Sequence, residues 1–184
     1  MPTTVERPQA VVLLTGIMAA GKSTVAQALA ERLPRSVHVR GDVFRRMVVN
    51  GRADMTPDTE EEARRQLRLR HTLTADVTDG YFDAGFTVVA QDVVLGAELP
   101  AMVARIQSRP LLVVVLAPSV AAVTAREAGR PKTGYGDWTP ADLDAGLRAD
   151  TPRIGLWLDT SAQTPEQTVD EILARAWTEA AVPD

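Results

Sequence analysis

The sequence predicts an α/β fold in which a five-stranded parallel sheet lies between two layers of helices, a three-layer αβα sandwich. Short apolar runs rich in Val, Leu and Ile alternate about five times with segments of helical periodicity along the 184 residues. Each apolar run has the length and composition of a strand that is buried on both faces. Strands that alternate with helices form a parallel sheet, because each helix carries the chain back to the edge where the preceding strand began.

Five apolar runs are predicted as the strands. The first, Ala10–Thr15, reads AVVLLT and ends at Gly16. The fourth, Leu111–Ala117, reads LLVVVLA and is the strongest strand signal in the chain. The other three are Val37–Arg40, Phe86–Ala90 and Ile154–Leu158. Functional groups of parallel α/β proteins gather where such strands end, so the residues after each run are candidates for a site.

The segments between the strands are predicted as helices. Lys22–Leu33 carries Val25, Leu29 and Leu33 on one face and is ended by Pro34. Shorter helices are predicted over Asp42–Val49, Leu99–Gln107, Val120–Ala128, Thr139–Ala149 and Thr164–Ala180.

The longest predicted helix, Asp58–Ala84, ends at Gly85. Thr59 and Glu62 have the spacing of a capping box at its start. Its apolar stripe is predicted to be Leu69, Leu73 and Val77. We expect this stripe to face the core.

The composition excludes several kinds of site and partner. The absence of Cys excludes disulfides and thiolate sites, and two widely separated histidines do not suggest a His-based metal site. A net charge of −4 without a dense Lys/Arg block argues against a nucleic-acid partner. No segment has the length of an apolar membrane span, and the N-terminus lacks the order of a signal peptide. We therefore expect a cytoplasmic protein without a membrane partner, with residues 1–184 forming one domain.

The segment after the first strand carries the phosphate-binding signature G-x-x-x-x-G-K-[ST]. It reads Gly16-Ile17-Met18-Ala19-Ala20-Gly21-Lys22-Ser23-Thr24, between a predicted strand and a predicted helix. The glycines let the backbone turn so that N–H groups point at phosphate oxygens, next to the positive end of the helix. Lys22 is expected to hold the β- and γ-phosphates, and Ser23 to place its hydroxyl on Mg²⁺. The sequence therefore predicts a P-loop NTPase-type fold that binds ATP, or a close relative, with Mg²⁺ as cofactor.

An acid follows the second strand, in Arg40-Gly41-Asp42. Asp42 is expected to lie close to the γ-phosphate, where a carboxylate could accept the proton of an attacking hydroxyl. It could also cap the helix that follows, and the two roles can coexist. Four apolar side chains that follow Asp42 could line an acceptor pocket or form the core face of a short helix: Val43, Phe44, Met47 and Val48.

A second acid, Asp92, follows the third strand. An acid at this place could orient Mg²⁺ through water, or it could bind the substrate. The third alternative is a turn residue at the end of the strand.

A basic segment precedes a Gly- and Pro-containing loop late in the chain. Arg126 and Arg130 are four residues apart, which would place them on one helix face, and Lys132 follows. We expect a lid at about residues 126–138 that brings positive charge onto the transferred phosphate and excludes water. The alternative is a solvated basic turn.

The absence of an N-K-x-D motif argues against a GTP switch.

The chain resembles the small P-loop kinases typified by the chloramphenicol phosphotransferase-like family. Shikimate kinases, gluconate kinases and zeta toxins are wider relatives. The resemblance rests on the P-loop, Asp42, the run Asp92-Val93-Val94-Leu95-Gly96, the lid arginines and the ending Leu158-Asp159-Thr160. It implies that Asp42 is the catalytic base, that Asp92 and Val93 line the acceptor pocket, and that the turn Leu158-Asp159-Thr160 lies near adenine.

The resulting expectation is an ATP-dependent kinase that phosphorylates a hydroxyl of a small molecule, either antibiotic-like or metabolite-like. In this hypothesis Lys22, Asp42, Arg126 and Arg130 are catalytic, and Asp42, Phe44, Asp92 and Val93 contact the acceptor. A nucleoside or nucleotide kinase, a zeta-type toxin with an antitoxin partner, and a nucleotide-binding regulator remain as alternatives. The sequence does not indicate the acceptor or the oligomeric state.

Overall fold

The described residues of the computed structural model, 4–58, 60–129 and 138–183, contain one sheet of five strands. The strands are β1 (Val11–Thr15), β2 (Ser36–Arg40), β3 (Thr87–Gln91), β4 (Leu111–Leu116) and β5 (Leu156–Leu158). They all pair in parallel, in the order β2-β3-β1-β4-β5. The predicted α/β fold with a five-stranded parallel sheet is confirmed.

Helices connect the strands and cover the sheet. In the described ranges they are α1 (Lys22–Arg32), α2 (Asp42–Met47), α3 (Glu61–Asp83), α4 (Glu98–Arg105), α5 (Val120–Ala128), α6 (Pro140–Asp150) and α7 (Pro165–Glu179). Helix α1 packs beside α7, and α3 packs beside α4 and against β2 and β3. None of the described helices is both long and apolar enough to cross a membrane.

The centre of the sheet is the most buried part of the molecule. Every residue of β1, β3 and β4 is buried, whereas the edge strands β2 and β5 keep partly exposed positions. A strand with a neighbour on each side and helices on each face must be apolar throughout, which explains why these runs show no alternation. Because all strands are parallel, the carboxyl ends of β1, β2 and β3 lie together at one edge of the sheet.

The predicted apolar face of α1 is confirmed, since Val25, Leu29 and Leu33 are all buried. The second helix is shorter than predicted and ends at Met47. Its N-cap is Gly41, so Asp42 is the first helical residue and does not act as the cap.

The start of α3 also differs from the expectation. The helix begins at Glu61 instead of Asp58, and its N-cap Glu60 makes no side-chain capping bond. The predicted capping residue Thr59 lies outside the described residues.

The predicted apolar stripe of α3 is wrong. Leu69 and Leu73 are 54% and 37% exposed, and only Val77 of the three packs against the core. The residues that α3 buries are small or polar: Ala63, His71, Thr74, Ala75 and Thr78. The reason lies in two inward polar contacts, one a buried ion pair and the other a hydrogen bond of a histidine whose pKa is lowered by burial. Arg70 and His71 reach carboxylates of other elements, and this turns the leucines toward solvent.

Candidate functional site

The loop after β1 reverses the chain through unusual backbone conformations. Gly16, Ala19 and Gly21 all have positive φ, of 146°, 60° and 97°. A Cβ atom on Gly16 would lie 2.4 Å from the backbone oxygen of Leu116, so only glycine fits at the point where this loop leaves the sheet. Gly21 is the N-cap of α1 and makes no side-chain capping bond. Because Gly21 has no side chain, it does not cap the N–H groups of the first turn of α1. An anion can bind at a helix end only when these N–H groups are uncapped.

Lys22 is the first residue of α1 and its side chain is folded back under the loop. It is 8% exposed, and its Nζ donates to the backbone oxygen of Ile17 at 2.8 Å. Ser23 and Thr24 follow in the first turn and are exposed. The loop that would bind a phosphate group therefore also holds the buried ammonium group of Lys22 in place.

Residues 18–24 line a cavity of about 520 Å³. Gly16 and Ile17, the first two residues of the motif, do not line it, and Ile17 is fully buried. Asp42, Arg70, Asp92 and Arg126 line the same cavity. The segments that follow β1, β2 and β3 and the helices α3 and α5 therefore place charged side chains around this cavity.

Asp92 is almost completely buried at the end of β3. Arg70, on α3, donates from Nε to Asp92 Oδ2 at 2.7 Å, and its Nη2 pairs with Oδ1. The Val93 N–H donates to the same Oδ1 at 2.7 Å. Burial lowers the pKa of Arg70 to about 10, while the nearby carboxylates of Asp42 and Asp54 offset part of this effect. Arg70 is thus charged at neutral pH and compensates the buried carboxylate.

Gly41 leaves the space that Asp92 occupies. A Cβ atom on Gly41 would lie 2.0 Å from Asp92 Oδ2, and the Gly41 N–H donates to the Gln91 oxygen at 3.0 Å. Its φ of −60° is an ordinary one, so the requirement for glycine is steric. The ends of β2 and β3 are therefore in close contact at this glycine.

Asp42 lies beside this pair and is more accessible, with its side chain 40% exposed. Arg46 Nη2 approaches Asp42 Oδ2 at 3.2 Å, and Arg40 Nε approaches Oδ1 at 3.6 Å. Exposed pairs of this kind contribute about 0–1 kcal/mol and are easily exchanged for another partner. Asp42 Oδ1 is buried and has no hydrogen-bond partner among the described residues, but the side chain as a whole is far more accessible than that of Asp92, which is held by Arg70.

The loop between α2 and α3 is fastened to both helices. Arg45 donates two bonds of 2.6 Å to the carboxylate of Asp54, and this hydrogen bonding lowers the pKa of Asp54. The Gln66 side chain accepts from the Ala53 N–H at 2.9 Å and donates to the Gly51 oxygen at 2.8 Å. The loop is thereby closed beside Asp42 and Arg70.

Arg126 lies at the opposite end of the cavity. It is in the last turn of α5, and it donates to the backbone oxygens of Thr160 at 2.6 Å and Ala20 at 3.3 Å. It thus bridges the phosphate-binding loop and the turn after β5. The hydroxyl of Thr160 is buried in this wall and has no hydrogen-bond partner among the described residues. Gln163, Pro165 and Thr168 complete this end.

The remaining predicted site residues have different outcomes. Val93 lines the cavity, but Phe44 does not; it is half-buried on α2. Arg126 lies in the last turn of α5, which ends at Ala128, and its shared helix face with Arg130 stays a prediction. Arg130, Lys132 and most of the predicted lid lie outside the described residues.

Sequence reasoning missed Arg70 and the Arg45–Asp54 pair, whereas the ending Leu158-Asp159-Thr160 was singled out and Thr160 does line the cavity. The position of Arg70 carried a signal, because it belongs to the side of α3 whose residues are otherwise small or polar. A charged residue on the small-residue side of a helix needs a buried partner, and Asp92 is an acid at a strand end. The Arg45–Asp54 pair had no local pattern that pointed to the cavity.

A second cavity of about 530 Å³ lies at the far end of the loop that starts with Asp92. Its apolar wall is formed by Leu95, Trp138 and Leu143, and Arg64, Asp142 and Asp150 stand around it. The Gly96 N–H donates to Thr151 Oγ1 at 2.8 Å, which ties this loop to the end of α6. The loop from Asp92 to Gly96 therefore contributes to both cavities.

A model of the AAA domain family matches residues 11–152, and the chain belongs to this family. Over 58 residues it is 41% identical to a UPF0200 protein of Aeropyrum pernix; this segment is 32% of the chain and 31% of that protein's length. Its fold resembles that of an unliganded sugar kinase from Janibacter sp. HTCC2649, with 19% identity, 91% and 94% of the two chains covered and a TM-score of 0.68. A gluconokinase from Sinorhizobium meliloti 1021 is also similar, with 20% identity, 92% of each chain covered and a TM-score of 0.61. The chain spans only about a third of the length of the curated relative that it matches, and its identities to the solved kinases are low. These similarities therefore support the fold alone.

Proposed function

We propose that this AAA-domain protein transfers the γ-phosphate of ATP to a hydroxyl group of a small molecule. The observation that carries the proposal is that Lys22, Ser23 and the accessible carboxylate of Asp42 line the same cavity. A lysine and a helix N-terminus suit a triphosphate, and a carboxylate beside them suits an alcohol that must lose its proton. The fold shared with a sugar kinase and a gluconokinase agrees with this chemistry.

The nucleotide would lie along the first cavity. Its β- and γ-phosphates would meet Lys22 and the N–H groups of residues 18–24, and its base would lie toward Thr160, Gln163 and Pro165. Arg126 reaches both ends of this path, since it contacts the oxygens of Ala20 and Thr160. The unpartnered Thr160 hydroxyl is available to a hydrogen-bonding group of the base.

The residues present fit a Mg²⁺ ion that is held mainly by the nucleotide. Among the residues described, no three His, Asp or Glu side chains converge in a way that could hold a metal ion. Protein-bound Mg²⁺ commonly takes few protein ligands and the rest from phosphate and water. The exposed hydroxyl of Ser23 would contribute one ligand, with Asp92 acting through water. When bound, the ion would neutralise charge on the phosphates.

Asp42 is the better candidate for the general base. Both oxygens of Asp92 already accept hydrogen bonds or pair with Arg70, and the side chain is buried. Asp42 has only solvent-exposed arginines as partners. In the transfer, the proton of the acceptor hydroxyl passes to the Asp42 carboxylate and the acceptor oxygen bonds to the γ-phosphorus. The bond from this phosphorus to the bridging oxygen breaks, and ADP leaves.

The acceptor would approach from the side of the Asp92–Gly96 loop. The second cavity, with its apolar wall and flanking charges, offers room for the body of an acceptor whose hydroxyl points toward Asp42. This suits a ring compound with several hydroxyl groups, whether a sugar-like metabolite or an antibiotic of the kind that chloramphenicol phosphotransferases modify.

The test is a screen for transfer of labelled γ-phosphate from Mg·ATP to a panel of sugars, sugar acids, nucleosides and hydroxyl-bearing antibiotics. We expect a labelled product with one part of the panel and none with the Lys22→Ala variant. Mg·ATP binding, measured by titration calorimetry with a non-hydrolysable analogue, is the control for a correctly folded site. A wild-type protein that binds no nucleotide would contradict the proposal. An unchanged affinity for the nucleotide analogue in Lys22→Ala would contradict the assignment of the phosphate site.

A further inference from the structure

The exposed apolar side chains of this protein are concentrated in one region. Among the described residues, the large apolar side chains that are exposed are Met47, Val49, Met55, Leu69, Leu73 and Tyr81. All six belong to α2, α3 or the loop between them. Apolar residues scattered singly on a surface need no explanation, but a concentration of this kind commonly marks an interaction surface.

Two of these residues form a stripe on the long helix α3. Leu69 and Leu73 are one helical turn apart, and the side of α3 that packs on the protein is a different one, with Ala63, Ala75 and Thr78. At about 100° per residue, Arg65 and Asp76 lie within about 40° of Leu69 around the helix axis. We call Arg65, Leu69, Leu73 and Asp76 the outer face of α3.

The backbone permits close approach at this face. Gly80 lies on the same side of α3, and a Cβ atom there would meet nothing within 4 Å. The helix has 23 residues, which corresponds to a length of about 34 Å. A helix of this length can pack along a second helix over several turns.

Arg65 and Asp76 flank the leucine pair with opposite charges, and two further acids, Glu62 and Asp83, lie on the same side of the helix toward its ends. Arg65 precedes the leucines, is 74% exposed and pairs only with Glu62 of its own helix. Asp76 follows them and is exposed, with no ion pair among the described residues. A second α3 placed antiparallel would bring Arg65 opposite Asp76 at both ends of the leucine pair. A parallel arrangement would instead place like charges together, which is unfavourable.

We propose that α3 is a self-association surface, on which a second copy of this chain packs its own α3 antiparallel about a two-fold axis. Leu69 contacts the partner's Leu73, and Arg65 pairs with the partner's Asp76. Such an interface is self-complementary, because each contact occurs twice. A single helix pair lies at the small end of stable interfaces, so the dimer is expected to form in the micromolar range.

The test is sedimentation-velocity centrifugation of the full chain over a roughly hundredfold concentration range around a micromolar Kd. We expect a monomer at the low end and a dimer at the high end. Arg65→Asp and Asp76→Arg should each raise the Kd by about tenfold or more, because two opposite-charge contacts become like-charge contacts. The double variant Arg65→Asp/Asp76→Arg should restore association, which simple damage to the helix would not do.

The matched control is Glu166→Arg on α7, which makes the same change of charge as Asp76→Arg at an exposed position away from α3. It should leave the Kd unchanged, and circular dichroism and thermal unfolding should show that every variant is folded. A wild-type chain that stays monomeric throughout the range overturns the proposal, as does a double variant that fails to recover. Hydrogen exchange of α3 that slows only when nucleotide and acceptor bind, in a monomer, would assign the outer face to closure of the site. None of these results depends on phosphate transfer.

Discussion

The two sides of the candidate site are built in different ways. On the phosphate side, β1 is fully buried and α1 buries five of its residues, including Lys22. On the Asp42 side, α2 buries none of its residues, and the α2–α3 region carries the exposed apolar side chains. The phosphate side uses backbone conformation and a helix end, whereas the Asp42 side uses side-chain pairs that join separate elements.

This difference has consequences for what each side tolerates. A phosphate-binding loop needs a fixed backbone, so it is attached to the most buried strand of the sheet. In the proposed function the Asp42 side admits the acceptor, and the exposed ion pairs found there can be exchanged for other partners. The Arg70–Asp92 pair differs from both the rigid loop and the exposed ion pairs. It is a buried ion pair between the phosphate side and the Asp42 side of the site. The following predictions test this contrast.

Removing the lysine of the phosphate side should have the largest effect. In Lys22→Ala the charge that holds the phosphates is lost, and we expect the affinity for Mg·ATP to fall by about tenfold or more. Turnover should fall by a further factor of about 10²–10³, because the charge acts most strongly in the transition state. Calorimetry and steady-state kinetics measure the two effects. A melting temperature close to the wild-type value shows that the loop has kept its fold without the bond to Ile17.

Changing the accessible carboxylate should affect chemistry and leave binding intact. Asp42→Asn keeps the shape of the side chain but removes the proton acceptor, so kcat should fall by about 10²–10⁴ while Mg·ATP binding is preserved. The measurement is kcat with an acceptor from the screen, together with the melting temperature. A folded Asn variant with nearly normal kcat would remove Asp42 from the role of base.

Breaking the buried pair should affect stability. Arg70→Ala leaves the Asp92 carboxylate buried without its partner, which should cost about 3–5 kcal/mol in the free energy of unfolding. The double variant Arg70→Ala/Asp92→Asn should recover much of this loss, because the buried charge is also gone. Urea unfolding measures both. The control is Arg68→Ala, which removes an exposed pair with Glu61 and should cost less than about 1 kcal/mol. Equal losses in Arg70→Ala and Arg68→Ala would contradict the distinction between buried and exposed pairs.

The smallest effect is expected at the loop that joins α2 to α3. Asp54→Asn removes the ionic part of the contact with Arg45, and since Asp54 is 39% exposed the cost should not exceed about 1 kcal/mol. The pKa of Asp54 is lowered in the folded state, so its contribution is present above the unfolded pKa and is lost as the pH falls through the folded pKa. The difference in melting temperature between the wild type and the variant should therefore be constant near neutrality and shrink as the solution is acidified below about pH 4. A difference that grows in acid would contradict the ion pair.

The α3 helix shows where sequence reasoning reached its limit. Its length and type were predictable, because the apolar residues recur at helical spacing. Its orientation was predicted wrongly, since Leu69 and Leu73 would normally be placed in the core. The inward side is instead set by Arg70 and His71, whose partners Asp92 and Glu98 are 22 and 27 residues away along the chain. A periodicity within one helix does not contain information about partners that another element supplies.

The sequence by itself determined the parallel sheet, the phosphate-binding loop and the acids at the ends of β2 and β3. These features follow from local patterns: buried strands need apolar runs, and a loop that wraps a phosphate needs glycine at fixed positions. Only the tertiary structure decided that Asp92 is held by Arg70 while Asp42 remains accessible, and that Gly41 is the residue that makes room for this arrangement. The physical reason is that the charge balance of a buried carboxylate depends on which side chains the packing of α3 against β3 brings to it.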